Sequence, residues 1–216
     1  MVDLAHTLYE PAGDGPHPTI IALHGWGASA HDLIGIAPFL GGGRVQMICP
    51  QGALTVPVAS AAGFGWFPLT GSGQLFDEGA ITRSADRVRA FITAAEERYA
   101  IDRRKLVLAG FSQGGVLAYF LALTEPERFA ALVALSSWLP PPMVATLRPN
   151  DARRGLPTLV QHGASDETIA VARARQSVES LRTLGVPVTY REYAMGHEIT
   201  AASLTDLASW LDELVG

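Results

Sequence analysis

Residues 110–114 read Gly-Phe-Ser-Gln-Gly, a G-x-S-x-G pattern centred on Ser112. An apolar run precedes it and a helix-forming stretch follows, the context in which this pattern presents a nucleophilic serine on a sharp strand-to-helix turn. Gly110 and Gly114 remove the side chains that would crowd such a turn. The helix N-terminus beyond Ser112 offers free backbone N–H groups to a developing negative charge. A serine of ordinary acidity needs a base, and the base needs an acid to orient it. The chemistry in view is acyl transfer.

Six histidines compete for the role of base. His6 and His17 belong to a polar N-terminal segment and read as solvated. His24 and His162 end apolar runs, and His31 opens a helix-forming stretch. His197, in YAMGHEIT, stands after the last strand-like run and before the final helix, where a base can reach Ser112. Between Ser112 and His197 the only aspartates are Asp151 and Asp166. Asp151 precedes a strand, at its wrong end. Asp166 follows TLVQH in the loop HGASDET, at the right end, with Glu167 as the adjacent competitor. The chain order serine, acid, histidine then selects Asp166. An early turn, HGWG at 24–27, follows another apolar run, and its glycines let backbone approach a reacting carbonyl. The N–H of Gln113, next after the serine, is the expected partner donor to an oxyanion.

These residues need elements to hold them. Short runs rich in Val, Ile and Leu at 18–24, 45–50, 105–109, 131–136, 158–162 and 186–193 read as strands covered on both faces. Stretches at 30–40, 81–99, 113–123, 170–184 and 203–214 read as helices. In the second of these Ile81, Ala85, Val88, Ile92 and Ala95 recur at three- or four-residue spacing and mark one buried face. The alternation predicts an α/β fold with a mostly parallel central sheet flanked by helices, and a ligand at the strands' carboxyl ends. Two stretches break it. Residues 51–79, rich in Gly, Ala, Ser and Pro, carry Phe64, Trp66, Phe67 and Leu69, and residues 137–156 begin with Trp138 and Leu139. Both read as long functional loops around the nucleophile. Their aromatic and aliphatic side chains are the expected wall of a pocket for an acyl chain, with loop anchoring as the competing role for Trp66 and Trp138.

Composition narrows the field further. A chain of 216 residues, 48% apolar and 17% charged, forms a globular core and reads as one domain over 1–216 with no large cap. A net charge of −5 speaks against a nucleic-acid partner. The lone Cys49 implies no disulfide framework and reads as a small buried filler. No basic, apolar leader starts the sequence and no apolar run reaches the roughly 18–20 residues of a membrane span, so the expected address is the cytoplasm without stable membrane insertion. No cofactor is expected: neither G-x-G-x-x-G nor a P-loop pattern follows a strand. A metal held by His24, His162 and Asp166 lacks any close His or Cys spacing to support it. Arg103, Arg104 and Lys105 read as a solvated turn. The oligomeric state is not set by the sequence.

Taken together, HGWGAS, GFSQGG, SSWLP, HGASDETI and YAMGHE resemble the phospholipase/carboxylesterase family, which includes the acyl-protein thioesterases. The resemblance runs from residue 21 to 198. It implies an α/β-hydrolase fold, Ser112, Asp166 and His197 as a catalytic triad, and Trp26 with Gln113 as oxyanion donors through their backbone amides. It implies an acyl ester or thioester as substrate, with an acylated protein as a further candidate. The sequence departs from the family where Thr168, Ile169 and Ala170 replace a common Val-Pro after the acid, and where Trp26 replaces a common leucine. A non-catalytic ligand-binding protein and a serine peptidase are the competing readings on the same fold.

Overall fold

The structure, a computed structural model, describes residues 4–58, 61–69 and 77–215. Among the described residues the strands are β1 (His6–Tyr9), β2 (His17–Leu23), β3 (Gln46–Pro50), β4 (Leu54–Val58), β5 (Ala61–Gly65), β6 (Ile101–Phe111), β7 (Ala131–Leu135), β8 (Thr158–Gly163) and β9 (Val188–Tyr193). Seven of them form one sheet in the order β1-β3-β2-β6-β7-β8-β9, and β4 pairs with β5 as a separate hairpin. All neighbours from β3 to β9 are parallel; β1 alone runs antiparallel, along β3. Since β2 lies between β3 and β6, the chain leaves it to one side and later resumes on the other. Such a switch opens a crevice at the carboxyl ends of the two strands.

Apolar residues at period two divide the core. Ile21, Leu23, Leu106, Leu108, Leu132, Ala134 and Val160 face one side. Ile20, Ala22, Val107, Ala109, Val133, Leu135 and Leu159 face the other. The first side receives α1 (Glu78–Arg98), α2 (Gln113–Thr124), α3 (Pro141–Thr146) and α4 (Val171–Thr183), and the second receives α5 (Ala201–Val215). Helix α1 starts where the Asp77 side chain accepts the Ala80 N–H at 3.0 Å, and it buries the expected stripe from Ile81 to Ala95. Helix α2 is buried all round from Gln113 to Leu123, so its sequence is apolar on every face.

Four expectations are corrected. Residues 30–40 form a 3-10 helix at Ile34–Phe39 in place of an α-helix, with Gly35 and Pro38 inside it weakening any longer ladder. Residues 51–79 contain the β4–β5 hairpin, while 59–60 and 70–76 lie outside the described residues. Arg103, Arg104 and Lys105 sit within β6, where the pairing with β2 jumps from His17↔Ile101 to Thr19↔Leu106; the turn-like sequence makes a bulge. The N-terminal histidines are not solvated. His17 is buried at the start of β2, and His6 bonds the Tyr99 hydroxyl at 2.6 Å through Nε2.

Candidate active site

Strand β6 ends at Phe111 and α2 starts at Gln113, so the whole reversal falls on Ser112. Its backbone lies at φ 53 and ψ −118, a conformation that costs a non-glycine residue on the order of 1–3 kcal/mol. The surroundings hold it there. The Ser112 N–H donates to Leu135 O at 2.9 Å, and its carbonyl accepts from Gly115 N at 3.0 Å and from the Ser137 hydroxyl at 2.8 Å. A Cβ on Gly114 would strike the carbonyls of Leu23 and His24, and one on Gly110 would strike the backbone of Gly114 and Gly115. Gly114 is thus demanded by close packing of the turn against the end of β2, and Gly110 by the tight approach of β6 to the start of α2.

The candidate acid, Asp166, and the candidate base, His197, meet across two loops that follow neighbouring strands. Ala164 N–H donates to Tyr193 O at 2.8 Å and Ser165 N–H to Met195 O at 3.1 Å, stitching the loop after β8 to the loop after β9. Asp166 then stands 2.7 Å from His197, Oδ2 to Nδ1. Facing a carboxylate, Nδ1 carries the proton and leaves Nε2 as the basic nitrogen. The other carboxylate oxygen, Oδ1, accepts the N–H groups of Thr168 at 2.9 Å and Ile169 at 2.8 Å. The Asp166 side chain is wholly buried, while that of His197 keeps 20% of its surface exposed. The imidazole packs against the Phe111 ring, 4.9 Å between centroids, which brings it beside the residue preceding Ser112.

The third part is the turn after β2. Gly25 lies so close to the serine that a Cβ there would sit 3.3 Å from the Ser112 Cβ. The structure therefore gathers Gly25 and Trp26 from one strand end with Ser112 and Gln113 from the next, at the topological switch. Among the histidines, His24 is committed to the frame: Nε2 accepts the Gly52 N–H at 2.9 Å and Nδ1 donates to Gly25 O at 2.7 Å. Burial holds its pKa below the ordinary 6.5. With both nitrogens engaged it does not join His162 and Asp166 in a metal site. Among the described residues no group of three His, Cys, Asp or Glu is arranged to hold a metal ion.

The expected pocket residues separate into two sets. Trp66, Phe67 and Leu139 are buried supports. The Trp66 indole N–H donates to His24 O at 2.8 Å, and its carbonyl accepts the Ser84 hydroxyl. Leu69 and Trp26 are exposed, and Phe64 and Trp138 are half-buried, with Arg173 stacked over the Trp138 ring at 5.6 Å. A role that sequence reading did not find belongs to the Gln113 side chain. Its Oε1 accepts the Trp66 N–H at 2.8 Å and its Nε2 donates to Phe67 O at 2.7 Å, clamping the chain after the hairpin onto α2, the helix that follows Ser112. The glutamine within GFSQGG was the available signal.

A parallel sheet with this elbow, acid loop and histidine loop in chain order defines an α/β-hydrolase. The family model for phospholipases and carboxylesterases matches residues 5–215, and the chain belongs to that family of ester-cleaving enzymes. It is 27% identical over 220 residues to acyl-protein thioesterase 1 of Gibberella zeae, covering 93% of this chain and 92% of that protein. It is 29% identical over 219 residues to acyl-protein thioesterase 1 of Cryptococcus neoformans, covering 90% and 91%. The Bacillus cereus carboxylesterase structure superposes with a TM-score of 0.83 at 19% identity, over 98% of this chain and 94% of that one.

Proposed function

We propose that this chain hydrolyses carboxylic esters and thioesters through a Ser112–His197–Asp166 triad. The observation that carries the reading is the 2.7 Å contact between buried Asp166 and His197, whose ring lies against the residue preceding a strained Ser112. Ser112 Oγ attacks the acyl carbon while His197 Nε2 takes its proton, and Asp166 steadies the imidazolium. The tetrahedral oxyanion is received by the backbone N–H groups of Trp26 and Gln113. His197 returns the proton to the departing alcohol or thiol, leaving an acyl-serine. Water, deprotonated by the same nitrogen, then releases the acid and restores the serine.

The residues expected at the rim support the substrate class. Trp26 and Leu69 are exposed, Phe64 and Trp138 half-buried, and no cap domain stands over them among the described residues. Such a mouth accepts a bulky leaving group and gives an acyl chain apolar surface, each buried methylene being worth about 0.8 kcal/mol. Short to medium acyl esters fit it, as do a lysophospholipid and an acylated protein thiol, the last in keeping with the names of the thioesterase relatives. The test is a panel of p-nitrophenyl esters with acyl chains of increasing length, run beside an acyl thioester. Turnover of esters and of the thioester is expected, lost in Ser112→Ala. Cleavage confined to amides, or undiminished turnover by Ser112→Ala, would overturn the proposal.

A further inference from the structure

The acid of the triad has a second histidine against it. His162, the penultimate residue of β8, is completely buried, and its Nε2 lies 2.8 Å from Ile169 O and 3.4 Å from Asp166 Oδ2. A carbonyl and a carboxylate are both acceptors, so the proton sits on Nε2 and Nδ1 is bare. Among the described residues Nδ1 has no partner. The same holds for the hydroxyl of Ser136, which directly follows neighbouring β7 and whose backbone N–H donates to Gln161 O, one residue before His162. Burying an imidazole with one unmatched nitrogen costs free energy that an apolar side chain of similar size would avoid. The compensating interaction is the one made by Nε2–H.

We propose that His162 is a positioning residue for Asp166, its Nε2–H shared between Ile169 O and Asp166 Oδ2. The proposal rests on the triad reading above. The bond to Ile169 O closes the loop that carries Asp166, since Ile169 N–H already donates to Oδ1 of the same carboxylate. The approach to Oδ2 concerns the oxygen that holds His197. Without that N–H, the loop loosens and more of the carboxylate's charge is directed at His197, which favours its imidazolium form. Other charged groups nearby are constant in this comparison. Glu192, opposite His162 on β9, is tied to Arg175 of α4, and Glu198 beside His197 accepts the Gly196 N–H.

Three substitutions separate the donor from the space it fills. In His162→Gln the amide nitrogen reaches the Nε2 position, in His162→Asn it reaches only that of Nδ1, and His162→Leu has no donor. Hydrolysis of a p-nitrophenyl ester is measured across pH, per active site titrated with a phosphonate, beside Ser112→Ala. His162→Leu and His162→Asn should lose roughly tenfold in kcat with KM little changed. Their acid limb of kcat/KM should move to higher pH by about half a unit. His162→Gln should recover most of both. Loss of packing alone would lower the fraction of active sites and leave the per-site pH profile in place. If His162→Leu does not fold, the difference between His162→Gln and His162→Asn decides. A wild-type profile in His162→Leu, or identical behaviour of His162→Gln and His162→Asn, overturns the proposal and leaves the triad standing. Full activity in Ser112→Ala overturns both.

Discussion

His24 shows how chemistry-bearing residues divide between reaction and frame. It stands two residues from Trp26, directly after strand β2, yet its two nitrogens hold Gly52 and Gly25. Chain position already favours His197 over His24 as the base, but the sequence does not reveal the hydrogen bonds that commit His24 to the frame. Burial lowers the His24 pKa in the folded chain from 6.5. The unfolded chain therefore takes up a proton at His24 more readily, and folding loses stability as pH falls from about 6.5 through the lowered value. Chemical denaturation at pH 7.5 and pH 5 should show this loss in the wild type. In His24→Gln, less stable throughout, the dependence on pH should be shallower; an unchanged slope would remove His24 as its source.

At the scale of elements, legibility followed burial. Runs such as Leu106–Val107–Leu108 and Leu132–Val133 lie in strands covered on both sides, where an uninterrupted apolar sequence is what the sheet demands. The pairing of Asp166 with His197 was legible for a related reason: each follows a recognisable strand, and the strand ends define where a site can lie. The β4–β5 hairpin was not legible, because its exposed Pro57 and its glycines obscure the strand pattern and its pairing is with itself. Edge strand β1 was likewise hidden in four half-buried residues. The Gln113 clamp joins elements 46 and 47 residues apart, beyond any local pattern. Gln113→Ala leaves Trp66 N–H and Phe67 O without that partner, each worth about 1–3 kcal/mol if it stays buried and unpaired. Urea denaturation should show a loss of that order. Gln113→Glu should be worse, since a carboxylate oxygen would face the Phe67 carbonyl; wild-type stability in both would dismiss the clamp.

Across the whole molecule the site arises from topology. The direction of chain growth reverses at β2 and β6, and into the crevice between their ends come the Gly25–Trp26 turn and the Ser112 elbow. Further out, the loops after β8 and β9, bonded to one another, bring Asp166 against His197. Among the described residues no helix is long and apolar enough to cross a membrane. The proposed hydrolysis requires chemistry at a single serine. The most direct test is reaction with a fluorophosphonate ester, followed by intact-mass and peptide mass spectrometry. One adduct per chain is expected, on the peptide containing Ser112, abolished in Ser112→Ala and strongly slowed in His197→Ala. An adduct on another residue, or equal labelling of Ser112→Ala, would contradict it.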